Sequence, residues 1–176
     1  MRLWRTFLLT GTLAVLTACD KPVAPPTNAA QTTQAPPDES KAQPKLPTIK
    51  LFVGAQELVT EIAKTEAQQA AGMMYRTNMA ENEAMLFPLP APTKASFWMR
   101  HTLLPLSCAY IEPDGMIEEI RDMKPLDETP IVAASDKILY VLETRQGWFE
   151  RNHVTTGMRV NTERGSLAHT FHGRGN

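Results

Sequence analysis

Through the middle of the chain, apolar and polar positions alternate over short stretches bounded by Gly, Pro, Asn and Asp, a period of two that predicts strands. Runs at 48–53 and 57–63 flank Val53-Gly54-Ala55-Gln56, which reads as a turn. Further strands are predicted at 84–87, 96–100, 106–111, 116–122 and 138–143. Glu112-Pro113-Asp114-Gly115 has Pro and Gly where a type I turn wants them, so 106–111 and 116–122 should form a hairpin. The pattern is interrupted once: Thr65-Glu66-Ala67-Gln68 fits a capping box, and the Ala-rich stretch that follows, ending near Gly72, predicts a helix of about two turns. A brief helical turn is expected at 147–152. Many short strands with little helix predict a mainly β fold, a compact barrel or jelly-roll-like sandwich with one or two short helices.

The two ends follow another logic. Arg2 and Arg5 precede an uncharged run at 7–18, about 12 residues, too short for the roughly 20 that cross a bilayer. It ends Leu16-Thr17-Ala18-Cys19, which resembles the lipobox of bacterial lipoproteins. That resemblance implies a signal peptide at 1–18, diacylation of the Cys19 thiol, and cleavage that leaves Cys19 first. Two acyl chains give stable anchoring, so the expected location is a cell-envelope membrane facing the periplasm. Asp20 resembles an inner-membrane retention signal and tilts the expectation that way. From Cys19 to Pro47 lie seven of the 14 prolines and almost no large apolar residue. Residues 19–45 are therefore expected to be a disordered tether that sets the domain on the order of 30 Å or more from its anchor. The domain proper is expected at 46–162, with a flexible tail at 163–176 where Leu167 and Phe171 are the only large apolar residues. His169 and His172, three apart in that tail, make a poor metal site.

Composition narrows the partners. Residues 46–162 carry 15 Asp and Glu against 11 Lys and Arg, a formal −4, with no basic stripe. Nucleic acid is not expected, because phosphate neutralisation supplies most of that affinity. With Cys19 lipidated, Cys108 has no partner in the chain and is expected to be a small core residue. Eight methionines in the domain raise the alternative of Cu(I) held by thioethers with His101. No tight Met-x-x-Met cluster is present, and methionines also fill irregular cores, so no metal or cofactor is expected. Gly-x-Ser-x-Gly, His-Glu-x-x-His and a Gly-rich phosphate loop are all missing from the sequence.

Four clusters then stand in one order and spacing: Ala71-Gly72-Met73-Met74-Tyr75-Arg76; Met85-Leu86-Phe87; Phe97-Trp98-Met99-Arg100-His101-Thr102 with Pro105-Leu106; and Tyr140-Val141-Leu142-Glu143 with Gly147. On these motifs residues 48–162 resemble the bacterial and archaeal domain-of-unknown-function family 192. The resemblance implies one small, mostly β domain, often exported, and no established activity. That family's pattern has Lys, Asn and Asp where this chain has Arg100, His101 and Ser107. A base or ligand role for that Asp does not transfer, since a serine hydroxyl is neither acidic nor a strong ligand.

On an extended strand Trp98, Arg100 and Thr102 share one side at spacing two, while His101 points away. Such a strip suits a sugar or a small anionic molecule, though Trp98 in the core with Arg100 as a solvated neighbour is the competing reading. Arg76 and Glu143 are either a structural ion pair or polar members of the same pocket. The candidate ligand-binding set is thus Arg76, Trp98, Arg100, Thr102 and Glu143, with Cys19 as lipid attachment and no catalytic residue. The expected function is an envelope-anchored lipoprotein with a non-catalytic ligand-binding or accessory domain. The alternatives are a small hydrolase of carbohydrate or cell-wall material, marked by a second acidic side chain facing Glu143 across a cleft, and a structural partner of other envelope proteins.

Overall fold

The computed structural model describes residues 41–173. The signal peptide expected at 1–18, Cys19, Asp20, most of the expected tether and residues 174–176 lie outside the described residues.

Ten strands and three short helices are described: β1 (Thr48–Val53), β2 (Gln56–Ile62), α1 (Glu66–Ala71), β3 (Glu83–Thr93), β4 (Ser96–Phe97), β5 (Leu106–Ile111), β6 (Ile117–Met123), β7 (Ile131–Val132), β8 (Ile138–Arg145), α2 (Trp148–Arg151), β9 (Val160–Thr162), β10 (Gly165–Ser166) and α3 (Leu167–His172). Eight strands form one sheet in the order β10-β9-β1-β2-β3-β8-β5-β6, and β4 pairs with β7 separately. Only β2 and β3 are parallel; they are joined through α1, since a parallel pair needs a crossover. The sheet curls into a half-barrel, as the mainly β expectation required. Curling brings its far edges together, where Met116 bridges Arg159 and the Val160 amide donates to the Gly115 carbonyl at 2.8 Å.

Local chemistry explains the elements that were predicted. Thr65 caps α1: its hydroxyl accepts from the Gln68 amide at 3.2 Å, and the Gln68 side chain accepts from the Thr65 amide at 3.1 Å. Gly54, with φ +59, takes the first loop position between β1 and β2, where an ordinary side chain would be strained. In the β5–β6 turn the Gly115 amide donates to the Glu112 carbonyl at 2.9 Å, closing the turn. Gly115 has φ +88, and an added Cβ would lie 2.8 Å from the Val160 carbonyl oxygen. Gly115→Ala should therefore strain the turn and push β6 from β9 together. A loss of about 1–3 kcal/mol in urea unfolding is expected.

Both faces of this sheet are covered, and that is what positions the site. One face carries Leu51, Leu58, Leu86, Ala109, Tyr140 and Leu142, packed with Trp148, Phe149 and Leu167. The other carries Met85, Phe87, Cys108, Tyr110 and Val141, roofed by Met73, Met79, Ala95, Met99 and Ala133 from the connecting loops. β5 is buried throughout and β8 along all but its last residue, hence their mostly apolar runs.

Three expectations are corrected. The strand at 96–100 stops at Phe97, and His101 has φ +54 in a turn closed by the Thr102 amide on the Met99 carbonyl at 3.0 Å. The segment from 163 is not a loose tail as far as His172. Ser166 caps α3 by accepting from the His169 amide at 3.1 Å, Leu167 is fully buried, and Phe171 packs on the core. The domain also begins before residue 46: the Gln43 side chain donates to the Gly72 carbonyl at 2.8 Å, and Lys45 reaches Glu83 at 2.9 Å.

Candidate functional site

Registration across the second face sets a row of side chains. Glu61 on β2 faces Met85 on β3, Met85 faces Glu143 on β8, and Glu143 faces Cys108 on β5. Residues opposite one another in this way put their side chains on the same face, about 5 Å apart. Two carboxylates therefore flank Met85 in one row, and they meet different fates.

Glu61 is paired. Arg76, at the end of the segment after α1, donates to its two oxygens at 2.6 and 2.7 Å in a bidentate contact. The Leu46 amide adds a hydrogen bond at 2.7 Å and Lys45 approaches to 3.4 Å. Burial pushes the Glu61 pKa up, but the hydrogen bonds from Arg76 and Leu46 and the charges of Arg76 and Lys45 outweigh it, leaving the pKa below the usual range. Arg76 Nε has no partner among the described residues.

Glu143 has no partner among the described residues. It is 4% exposed, and burial alone pushes its pKa to about 8, with neither hydrogen bond nor charge contributing. Its neighbour Cys108 is fully buried, and its thiol is pushed up to about 12, first by burial and then by the Glu143 charge. Cys108 is thus an inert core thiol, as expected.

Glu143 forms part of the lining of a cavity of about 380 Å³. Its walls are the end of α1 and the turn after it (Gln69, Gly72, Met73), the aromatic pair Phe87 and Phe97, and Trp98 and Thr102. Phe87 and Phe97 meet edge to face with centroids 5.0 Å apart. Gln69 fixes the helical wall by donating to the Ala63 carbonyl at 3.1 Å and the Pro88 carbonyl at 2.8 Å. The loop carrying Trp98 and Thr102 is held from two sides. The Met99 amide donates to Asp127 at 2.8 Å, the Leu126 amide to Thr102 at 3.1 Å, and the Tyr75 amide to His101 at 2.8 Å. The Tyr75 and His101 rings stack at 5.0 Å. Trp98 remains 45% exposed at the cavity mouth, whereas Thr102 is buried with its hydroxyl donating to the Arg100 carbonyl at 3.2 Å.

Of the five candidate residues, the cavity therefore brings together Trp98, Thr102 and Glu143. Arg100 is outside the lining. Its guanidinium lies 5.7 Å from the Trp98 ring centroid, and its Nε donates to His101 at 3.2 Å. Arg76 is engaged by Glu61, not by Glu143. The strip of Trp98, Arg100 and Thr102 on one strand face does not exist, because the chain turns at Arg100 and His101. Sequence reasoning missed Glu61, Met73, Gln69 and Lys94. Gln69 had a usable signal, since it lies one turn before Gly72 on a helix already predicted. Five of the eight methionines, Met73, Met79, Met85, Met99 and Met123, pack in the apolar cluster around this cavity.

Comparison with known proteins agrees with this architecture. A crystal structure of a protein of unknown function from Novosphingobium aromaticivorans is 35% identical with a TM-score of 0.63, covering 66% of this chain and 86% of that one. A crystal structure described as a putative transcription regulator from Sinorhizobium meliloti is 29% identical with a TM-score of 0.64, covering 68% and 97%. No curated protein matches the chain. Residues 49–162 match the family model DUF192, described as Uncharacterized ACR. The chain belongs to domain-of-unknown-function family 192.

Proposed function

We propose that this chain is a lipoprotein held at an envelope membrane through Cys19, and that its β domain binds a small polar ligand without transforming it, in the cavity of Trp98, Thr102 and Glu143. The observation that carries the binding reading is Glu143 itself. A buried carboxyl without a partner is costly to fold around, and polar groups left open in this way mark sites where something else completes them.

Between the two ligand classes weighed from the sequence, this geometry favours a sugar over an anion. The Glu143 carboxyl, kept protonated by burial, brings no counter-charge for an anion, and Arg76, one of the two cations expected there, is taken by Glu61. The half-exposed Trp98 ring offers a flat face for a sugar ring, and Thr102 and Ser96 offer hydroxyls. A hydrolase of glycosidic bonds uses two carboxyl groups, and among the described residues Glu143 is the only acidic one lining the cavity. The −4 balance of residues 46–162 gives no support to nucleic-acid binding.

Mass spectrometry of the protein from its native host tests both halves. Under denaturing conditions the N-terminus should be a diacylated Cys19. Under native conditions the wild type should retain a small molecule that a folded Trp98→Ala/Glu143→Gln variant has lost. An unmodified N-terminus elsewhere in the chain rejects the anchor, and equal retention by the double variant rejects the site.

A further inference from the structure

We infer that the cavity selects a ligand bearing a protonated amine, which it seats on Glu143 with the remainder of the ligand against Trp98. This deepens the binding reading above and rests on it.

The Glu143 carboxyl is set among neutral neighbours on its own sheet. On β3 its neighbour is Met85, an apolar thioether; on β5 it is Cys108, whose thiol stays protonated. Tyr110, two residues along β5 on the same face, is likewise kept protonated, chiefly by burial, and gives its hydroxyl to the Ile131 carbonyl. Of the roof and walls, Met73, Phe97, Trp98 and Thr102 bring no charge. Arg76 lies beyond Met85 and is closed off in its bidentate contact with Glu61. Arg121 continues the row past Cys108 and pairs with Glu119. Lys94 is the one cation in the lining, and it is exposed and adds nothing to the charge balance of Glu143. Among the described residues the carboxyl thus has an apolar setting, an open side toward the cavity and no counter-charge.

A neutral hydroxyl could hydrogen-bond to the protonated acid, but it would leave the apolar setting and the proton unchanged. An ammonium does more. It supplies the missing charge, donates to the carboxylate oxygens, and displaces the proton from Glu143 to solvent as it binds, so that atoms and charge balance. The walls fit such a ligand, since the Trp98 face and the Met73 thioether accept the apolar flank of a ring or short chain. A sugar ring carrying an amine would satisfy the Trp98 and the Glu143 ends together.

Cyclohexylammonium and cyclohexanol are suitable probes, matched in shape and differing in charge. An alkylamine, like lysine, titrates near pH ~10.4, so through pH 6–9 the pH dependence belongs to the protein. The full chain in detergent would be titrated with each, following the Trp98 indole and Thr102 amide signals by NMR. At pH 8.5 the ammonium should bind at least about tenfold tighter than the alcohol, and its affinity should fall roughly tenfold per pH unit below 8. In Glu143→Gln, the preference for the ammonium and the pH slope should both disappear. Equal affinities at pH 8.5, or a flat wild-type profile, would overturn the inference while leaving the cavity a binding site; the wild-type profile decides this even if the variant folds poorly. If neither probe moves the two signals, the binding reading fails as well.

Discussion

Glu143→Gln should raise the stability of the domain at pH 9 by on the order of 3–5 kcal/mol and change it little at pH 4. The carboxyl is buried and its pKa stands near 8, against about 4.3 for a free glutamate. Between those values the unfolded chain releases a proton that the folded chain retains, so stability falls as pH rises. The contribution is therefore fully present below pH ~4.3 and lost as pH climbs through 8. Glutamine keeps the shape and polarity of the protonated acid without its titration. Urea unfolding of both proteins at pH 4, 6 and 9 isolates this one group, since all other titrations are shared. Parallel pH curves would show that Glu143 ionises freely in the folded protein and is not enclosed as described.

That cost bears on why such a residue stands there. A glutamine, methionine or valine would give a more stable sheet at neutral pH. Local rules are broken in natural proteins mainly where function requires it, and here one buried acid closes the apolar run Ile138–Leu142 beside a cavity. Glu61, in the same row and equally buried by the chain, shows the contrasting solution, in which Arg76 completes the carboxylate and the pair becomes structure.

The legible parts of the sequence were those decided within a few residues. The Thr65 capping box, the Gly54 and Gly115 turns and the runs of β1, β2, β5 and β8 depend on neighbours in the chain, and the structure has them where the pattern placed them. Phe97-Trp98-Met99 is as strand-like in composition as any of these, yet it leaves the strand after Phe97. What overrides it is tertiary: three backbone bonds from Tyr75, Leu126 and Met99 pull 98–102 into a turn. The strip inferred from alternation failed with the strand, and Trp98 and Thr102 came to one cavity for a different reason. Glu61 was unreadable because its strand, Gln56–Ile62, alternates like one with a solvent face; that face is in fact roofed by loops distant in sequence. Glu143 was partly readable, since an acid closing an unbroken apolar run is carried with that run into the interior. The 163–172 segment held a signal that composition masked: Ser166 at a cap position, with Leu167 and Phe171 four apart on one helical face.

Arg76→Met should cost on the order of 2–4 kcal/mol at pH 7, because it strands the Glu61 carboxylate among apolar neighbours. Fully enclosed pairs lose more, but Lys45 still reaches Glu61 at 3.4 Å and the Leu46 amide still donates to it. The loss should shrink as the pH falls. In the wild type the depressed pKa of Glu61 contributes stability above the ordinary glutamate range that disappears on acidification, whereas in the variant the carboxyl protonates early and relieves its own isolation. Glu61→Gln on top of Arg76→Met should recover part of the loss, since glutamine keeps an oxygen for the Leu46 amide and buries no charge. The double-mutant cycle from urea unfolding then gives a favourable coupling between positions 61 and 76. The cavity should survive in the double variant, because neither residue lines it. If the two substitutions simply add, the bidentate contact contributes nothing to stability, and Arg76 would have to be reconsidered as a residue kept for a partner outside the chain.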